Sequence, residues 1–93
     1  MANSVNYGLW CDFRNPLQWQ MPFESFYAER LNQISAAQAM GFGSCWLTEH
    51  HFAADGYSPS ILTIAAAVAS TTERMRIGFN LLPLSLHNAV RLA

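Results

Sequence analysis

The sequence contains no lysine and few charged residues of any kind. Its five basic residues are all arginines scattered along the chain, and six acidic residues leave a formal net charge of −1. A nucleic-acid-binding protein shows a basic patch or stripe, and an anionic membrane attracts clustered basic residues. We therefore expect neither nucleic acid nor a membrane among the partners of this protein.

Signals of export, membrane insertion and cysteine-based structure are also missing. Residues 1–6 have neither the basic nor the apolar region of a signal peptide. The longest apolar run, residues 64–69, is far shorter than the ~18 residues of a membrane span. Cys11 and Cys45 lie in apolar stretches without CxxC spacing, which indicates buried thiols rather than a disulfide framework or zinc site. We expect a cytoplasmic protein.

Charge is scarce because the chain is rich in apolar residues. Charged residues make up 12% and hydrophobic residues 52%, whereas soluble domains carry roughly 25% charge. This composition excludes disorder and fits part of a larger core. Ninety-three residues are too few for a complete (β/α)₈ barrel, which needs ~250. Asn88 is a good helix N-cap, but the chain stops about one turn later, so we expect residues 1–93 to be a domain truncated at its C-terminus.

The apolar pattern predicts the order β-α-β-α-β-loop-α. The predicted strands cover residues 7–13, 45–50 and 75–82, and the predicted helices cover residues 23–40, 61–70 and 89 onward. Pro22 fits the first turn of the first helix, and Ser58 with Pro59 fits the start of the second. Strands that alternate with helices predict a parallel sheet. A doubly wound sheet and a (β/α)₈ barrel both remain open, although the absence of GxGxxG and Walker A motifs disfavours nucleotide-binding folds.

Candidate functional residues follow the predicted strands, because ligands of parallel α/β folds bind at the carboxyl ends of the strands. These residues are Asp12, Arg14, Glu49, His50, His51 and Asn80. Strand alternation predicts that Glu49 and His51 share one face and that His50 points to the other. No HExxH pattern is present, so we predict no metal site. Alternatively, His50 and His51 only make hydrogen bonds within a loop.

Asn80 and the tryptophans have two interpretations each. Asn80 interrupts an apolar strand, so its amide either contacts a ligand or caps the backbone at a sheet edge or bulge. Trp10 and Trp46 could line a pocket for a flat ligand, but their apolar surroundings favour the core. Trp19 lies in a polar loop and is the better pocket or interface residue.

Several motifs together resemble the luciferase-like flavin-dependent monooxygenases. Residues 40–57 read MGFGSCWLTEHHFAADGY, and this stretch contains the family pattern GF-x-x-x-W-x-x-EHHF. The resemblance continues through RIG at residues 76–78 to LPLSLHNAVRLA at residues 82–93, and GLWCDFRNP at residues 8–16 is similar to one subgroup. It therefore spans almost the whole chain.

This resemblance implies the fold class and the site. The chain would form the N-terminal part, about three βα units, of an α/β (β/α)₈ TIM barrel. The family's monooxygenases use reduced FMN and O₂ to oxygenate a small organic substrate. His50 would be the catalytic histidine, with Glu49 and His51 in support. A non-prolyl cis peptide between Asn80 and Leu81 would offer its backbone polar groups to the flavin, which makes these two the cofactor-binding residues.

The resemblance also implies partners and leaves alternatives. A flavin reductase would supply reduced FMN, the full-length protein would be a homodimer, and this chain by itself would be inactive. One alternative is a dehydrogenase that uses the deazaflavin F420 without O₂ chemistry. Another is a non-catalytic barrel subunit. The substrate is not predicted, because one fold serves many substrates.

Overall fold

The computed structural model describes residues 4–93. Three strands and three helices alternate along the chain, as the apolar pattern predicts. Their bounds are β1 Gly8–Cys11, α1 Phe23–Ala39, β2 Ser44–Leu47, α2 Ile61–Thr71, β3 Arg76–Phe79 and α3 Ala89–Leu92, with 3₁₀ turns at Leu17–Trp19 and Leu84–Leu86. The strands are shorter than the apolar runs that predict them, because the ends of those runs lie in loops.

The strands form one parallel sheet in the order β1-β2-β3, which confirms the predicted sheet. Its register places Leu9, Cys45 and Ile77 in one row across the strands. That row and the Cys11, Leu47, Phe79 row pack against the helices. Cys45 and Leu47 are fully buried there, so the core lies between the sheet and the helices.

Helix α1 begins after Pro22, which occupies the N-cap position rather than the first turn. Gly41 ends the helix with a positive φ of 103°, the backbone conformation that glycine adopts without steric cost. The Gln38 side-chain oxygen accepts backbone hydrogen bonds from Glu73, Arg74 and Met75 at 2.9–3.0 Å. This contact fixes the C-terminal half of α1 against the turn that leads into β3.

Helix α2 buries one face, formed by Ile61, Ile64 and Val68, because residues at i, i+3 and i+7 share a side of a helix. The prediction that Ser58 caps this helix is wrong. The N-cap is Ser60, whereas Ser58 is fully buried and has a φ of 44°. Asn88 does cap α3, since its side-chain oxygen accepts the Val90 N–H at 2.9 Å.

The prediction that Trp10 and Trp46 are core residues is wrong for the part of the chain that the structure describes. Trp10 is 59% exposed and Trp46 44% exposed. Successive strand residues point to opposite faces of a sheet, so these side chains lie on the face away from the helices. Gly78 completes their row, and Trp46 covers it: an added Cβ would lie 2.5 Å from the Trp46 ring. Trp19 is 76% exposed in the first 3₁₀ turn.

The two cysteines are neighbours across β1 and β2. Both are free, and the Cys45 thiol donates a hydrogen bond to Cys11 over 3.4 Å. Cys45 is buried, as predicted, but Cys11 is only half-buried. Cys11 also lines a cleft of about 560 Å³ between β1 and α1. None of the helices within residues 4–93 is long and apolar enough to cross a membrane.

Candidate functional site

The carboxyl ends of the three parallel strands bring the sequence-predicted residues to one edge of the sheet. Asp12 and Arg14 follow β1, Glu49 to His51 follow β2, and Asn80 follows β3. Strand β2 ends at Leu47, whose carbonyl accepts the Asn80 N–H at 2.8 Å. Because β2 ends there, strand alternation does not determine the direction of the His50 side chain. The consecutive residues Thr48 and Glu49 are both buried, which shows that the alternation has already stopped. His50 is exposed.

Glu49 is the most buried charged group at this edge, with none of its side chain exposed. His87 Nε2 lies 2.8 Å from Glu49 Oε1 and 2.9 Å from Oε2. A buried carboxylate requires a charged or hydrogen-bonding partner, and His87 is that partner. His87 follows the second 3₁₀ turn, so this contact joins the end of β2 to the segment after β3.

His51 approaches the same carboxylate from a more exposed position. Its Nε2 lies 3.7 Å from Glu49 Oε2, and about one third of its side chain is exposed, at 34%. The expectation that Glu49 and His51 lie on the same side is consistent with this distance. Across residues 4–93, no group of three or more histidine, cysteine or acidic side chains has a geometry that could hold a metal ion.

A second group of side chains surrounds His50. Its imidazole meets the Tyr57 ring edge to face, with centroids 4.1 Å apart and an interplanar angle of 87°. The Arg14 guanidinium lies over the Tyr57 ring at 5.0 Å. Arg14 Nε donates to Asp55 Oδ2 at 2.7 Å, and this hydrogen bond raises the pKa of Arg14, which keeps its charge at any working pH. A cleft of about 320 Å³ opens among these side chains and His51.

Asn80 and Leu81 lie one strand away. The peptide bond between them is cis, as the resemblance implies. Asn80 is exposed rather than buried, and it follows β3 instead of interrupting it. Its backbone N–H extends the β2–β3 hydrogen bonding by one residue. This bond comes from the backbone and not from the side-chain amide, so both interpretations of the amide stay predictions; Asn80 is exposed and Leu81 is 64% exposed.

Sequence reasoning missed three residues of this site: His87, Asp55 and Tyr57. His87 lies 38 residues from Glu49, and no local pattern connects the two. Asp55 and Tyr57 lie between the predicted strand over residues 45–50 and the predicted helix over residues 61–70. Their one signal is position, because Asp-Gly-Tyr follows the EHHF block after only two residues. A turn that close to a candidate histidine can place side chains against it.

Comparisons with known proteins agree with the motifs. The sequence model of a family described as luciferase-like monooxygenase matches residues 5–93. An uncharacterized protein from Sinorhizobium fredii, y4wF, is 38% identical over 65 residues. That match covers 70% of this chain and 19% of the relative. The chain therefore spans about one fifth of the length of the relative it matches.

Proposed function

The chain belongs to the luciferase-like monooxygenase family, and from this premise we propose that the protein uses reduced FMN and O₂ to oxygenate a small organic molecule. Members of the family are oxidoreductases that use a flavin or the deazaflavin F420. The parallel sheet alternating with helices is the N-terminal part of the family's barrel. The proposal includes a flavin reductase as the source of reduced FMN and a homodimer as the functional state.

The residues at the carboxyl edge fit the flavin that this proposal requires. The isoalloxazine ring presents both hydrogen-bond donors and acceptors along one side. Asn80 is exposed and its amide has both kinds of group, and the backbone N–H and C=O of the exposed Leu81 would add to this set. These two residues would hold the ring. When bound, reduced flavin supplies the electrons that activate O₂.

His50 is the residue that we place against the reacting atoms. The observation that carries this assignment is its exposed imidazole beside the cleft at the carboxyl end of β2. A neutral imidazole has one N–H donor and one acceptor nitrogen, so His50 can hold a proton for transfer or accept one. Glu49 cannot take this role, because its carboxylate is buried against His87.

Replacing His50 by alanine in the intact protein tests this proposal. We expect the variant to bind reduced FMN but to oxidise it with O₂ more slowly, since the proton-transferring group is lost. Flavin fluorescence measures the binding and flavin absorbance follows the oxidation. Arg76→Ala is the control, because Arg76 is exposed at the opposite end of the sheet. A protein that binds F420 but not FMN would contradict the choice of cofactor and favour a dehydrogenase.

A further inference from the structure

We propose that Arg14 is a positioning residue for His50 and acts through Tyr57. Arg14 belongs to the loop after β1, while His50 and Tyr57 follow β2. Nothing in the strand itself fixes the His50 ring, because β2 ends three residues earlier, at Leu47. The ring must therefore be held by side chains from the loops. This inference rests on the proposed role of His50, but the contact that it describes can be measured separately.

The first step is the attachment of Arg14 to Asp55. The bond from Arg14 Nε to Asp55 Oδ2 is 2.7 Å long, and the Asp55 side chain is only 12% exposed. A backbone bond joins the same two loops, since Asn15 N–H donates to the Asp55 carbonyl at 3.0 Å. The backbone N–H of Arg14 also donates a hydrogen bond to Asp12 Oδ1 at 3.2 Å. The guanidinium is thus directed by a carboxylate that is itself largely buried.

The second step is the contact of Arg14 with Tyr57. A planar guanidinium packs well on an aromatic face, and Arg14 Cζ lies 5.0 Å from the Tyr57 centroid. Gly56 makes this arrangement possible, because its φ of 68° brings Asp55 and Tyr57 to the same guanidinium. A Cβ at Gly56 would lie 2.7 Å from the Phe23 ring, so the turn rests on the start of α1.

The third step is the contact of Tyr57 with His50. The Tyr57 ring lies 4.1 Å from the imidazole and almost perpendicular to it, a favoured aromatic geometry. With Arg14 on Tyr57, few other orientations are open to the Tyr57 ring. The imidazole nitrogens are then held in one direction at the cleft. In this way a residue after β1 orients the histidine after β2.

Charge disfavours the other role open to Arg14, which is binding an anionic substrate. Asp55 already neutralises the guanidinium through a direct ion pair. Asp12 adds a second negative charge nearby, where it interacts with the guanidinium. The cleft therefore offers an incoming anion little net attraction, whereas a fixed, neutralised guanidinium suits a positioning role.

The test compares Arg14→Ala, Arg14→Lys and Asp55→Asn in the intact protein. Arg76→Ala is the control, because Arg76 is exposed at the opposite end of the sheet. Nuclear Overhauser contacts between the His50 and Tyr57 ring protons report the geometry without any flavin. We expect these contacts to weaken in all three Arg14 and Asp55 variants and to persist in the control.

The second readout is the oxidation of reduced FMN. Since a misplacement of ~1 Å can cost on the order of 10²-fold in rate, we expect kcat to fall ~10-fold in Arg14→Ala with little change in KM. Arg14→Lys should restore only part of this rate, because lysine lacks the planar fork. Asp55→Asn keeps the size of the side chain, so it tests the contact if Arg14→Ala does not fold.

The outcomes separate this inference from the proposed function. Unchanged ring contacts and unchanged kcat in Arg14→Ala and Asp55→Asn would overturn the positioning role. Competitive inhibition of the wild type by sulfate, lost in Arg14→Ala, would overturn it in favour of an anion site. If His50→Ala has normal activity while the ring contacts still depend on Arg14, the proposed function fails and the contact described here stands.

Discussion

Burial decides the role of each titratable residue at the candidate site. Glu49 and His50 are adjacent in sequence, yet one side chain is fully buried and the other residue is exposed. The sequence indicates that this cluster matters but not which member is structural. That distinction depends on His87, a residue 38 positions away, and sequence spacing does not reveal such a pairing.

Replacing His87 by alanine should destabilise the protein strongly. Glu49 would remain buried without its hydrogen-bond partner, and a buried polar group left unpaired costs about 1–3 kcal/mol, more when it is charged. Urea unfolding of the intact protein measures this loss. His51→Ala is the control, because His51 is partly exposed and lies 3.7 Å from the carboxylate. Equal stability of the two variants would contradict the pairing.

We expect Gly78→Ala to destabilise the protein more than Gly43→Ala does. An added Cβ at Gly78 would meet the Trp46 ring at 2.5 Å, whereas Gly43 has nothing within 4 Å. The Trp46 ring must then move off the sheet, at a cost of about 1–3 kcal/mol. In the intact protein labelled with 5-fluorotryptophan, the ¹⁹F resonance of Trp46, assigned with Trp46→Phe, reports the displacement. An unchanged Trp46 resonance in Gly78→Ala would show that Trp46 does not lie on Gly78.

At the scale of elements, the periodicity of apolar residues predicts the type and order of the helices and strands better than it predicts the residues at which they end. All three strands and both long helices are found where the apolar pattern indicates them. The predicted strand over residues 75–82 shortens to Arg76–Phe79, because the β2–β3 hydrogen bonding ends with Asn80. Ser58 does not cap α2, because it is fully buried and has a left-handed backbone conformation. Local preference does not contain such information.

The pairing of β1 with β2 makes the two cysteines chemically unequal. The hydrogen bond to Cys11, together with burial, raises the pKa of the Cys45 thiol. The same hydrogen bond lowers the pKa of Cys11. The thiolate is the reactive form, so as pH rises Cys11 should react with iodoacetamide first. Peptide mass spectrometry measures both rates, and faster labelling of Cys45 would contradict this order.

At the scale of the whole molecule, the sheet has one covered and one open face within residues 4–93. The helices cover the face that carries Cys45 and Leu47, while Trp10 and Trp46 stand exposed on the other. The composition, rich in apolar and poor in charged residues, predicts such a surplus of apolar surface. It does not predict which residues carry it, so the apolar surroundings of Trp10 and Trp46 favour the core although both are exposed within residues 4–93.

The 93-residue chain expressed by itself should therefore lack a sharp, cooperative thermal unfolding transition. The edge strands β1 and β3 have unpaired backbone groups, and exposed strand edges and apolar patches favour association. Calorimetry and binding of the dye ANS measure the two effects. A sharp transition without dye binding would show that this chain is a stable domain.

The most direct test of the account is the oxidation of reduced FMN by the intact protein and its His50→Ala variant. General acid–base catalysis contributes roughly 10²–10⁴-fold to a rate. We expect His50→Ala to bind reduced FMN but to lose turnover on that scale, with Arg76→Ala unaffected. Equal turnover of the wild type and His50→Ala would contradict the assignment of His50 as the catalytic residue.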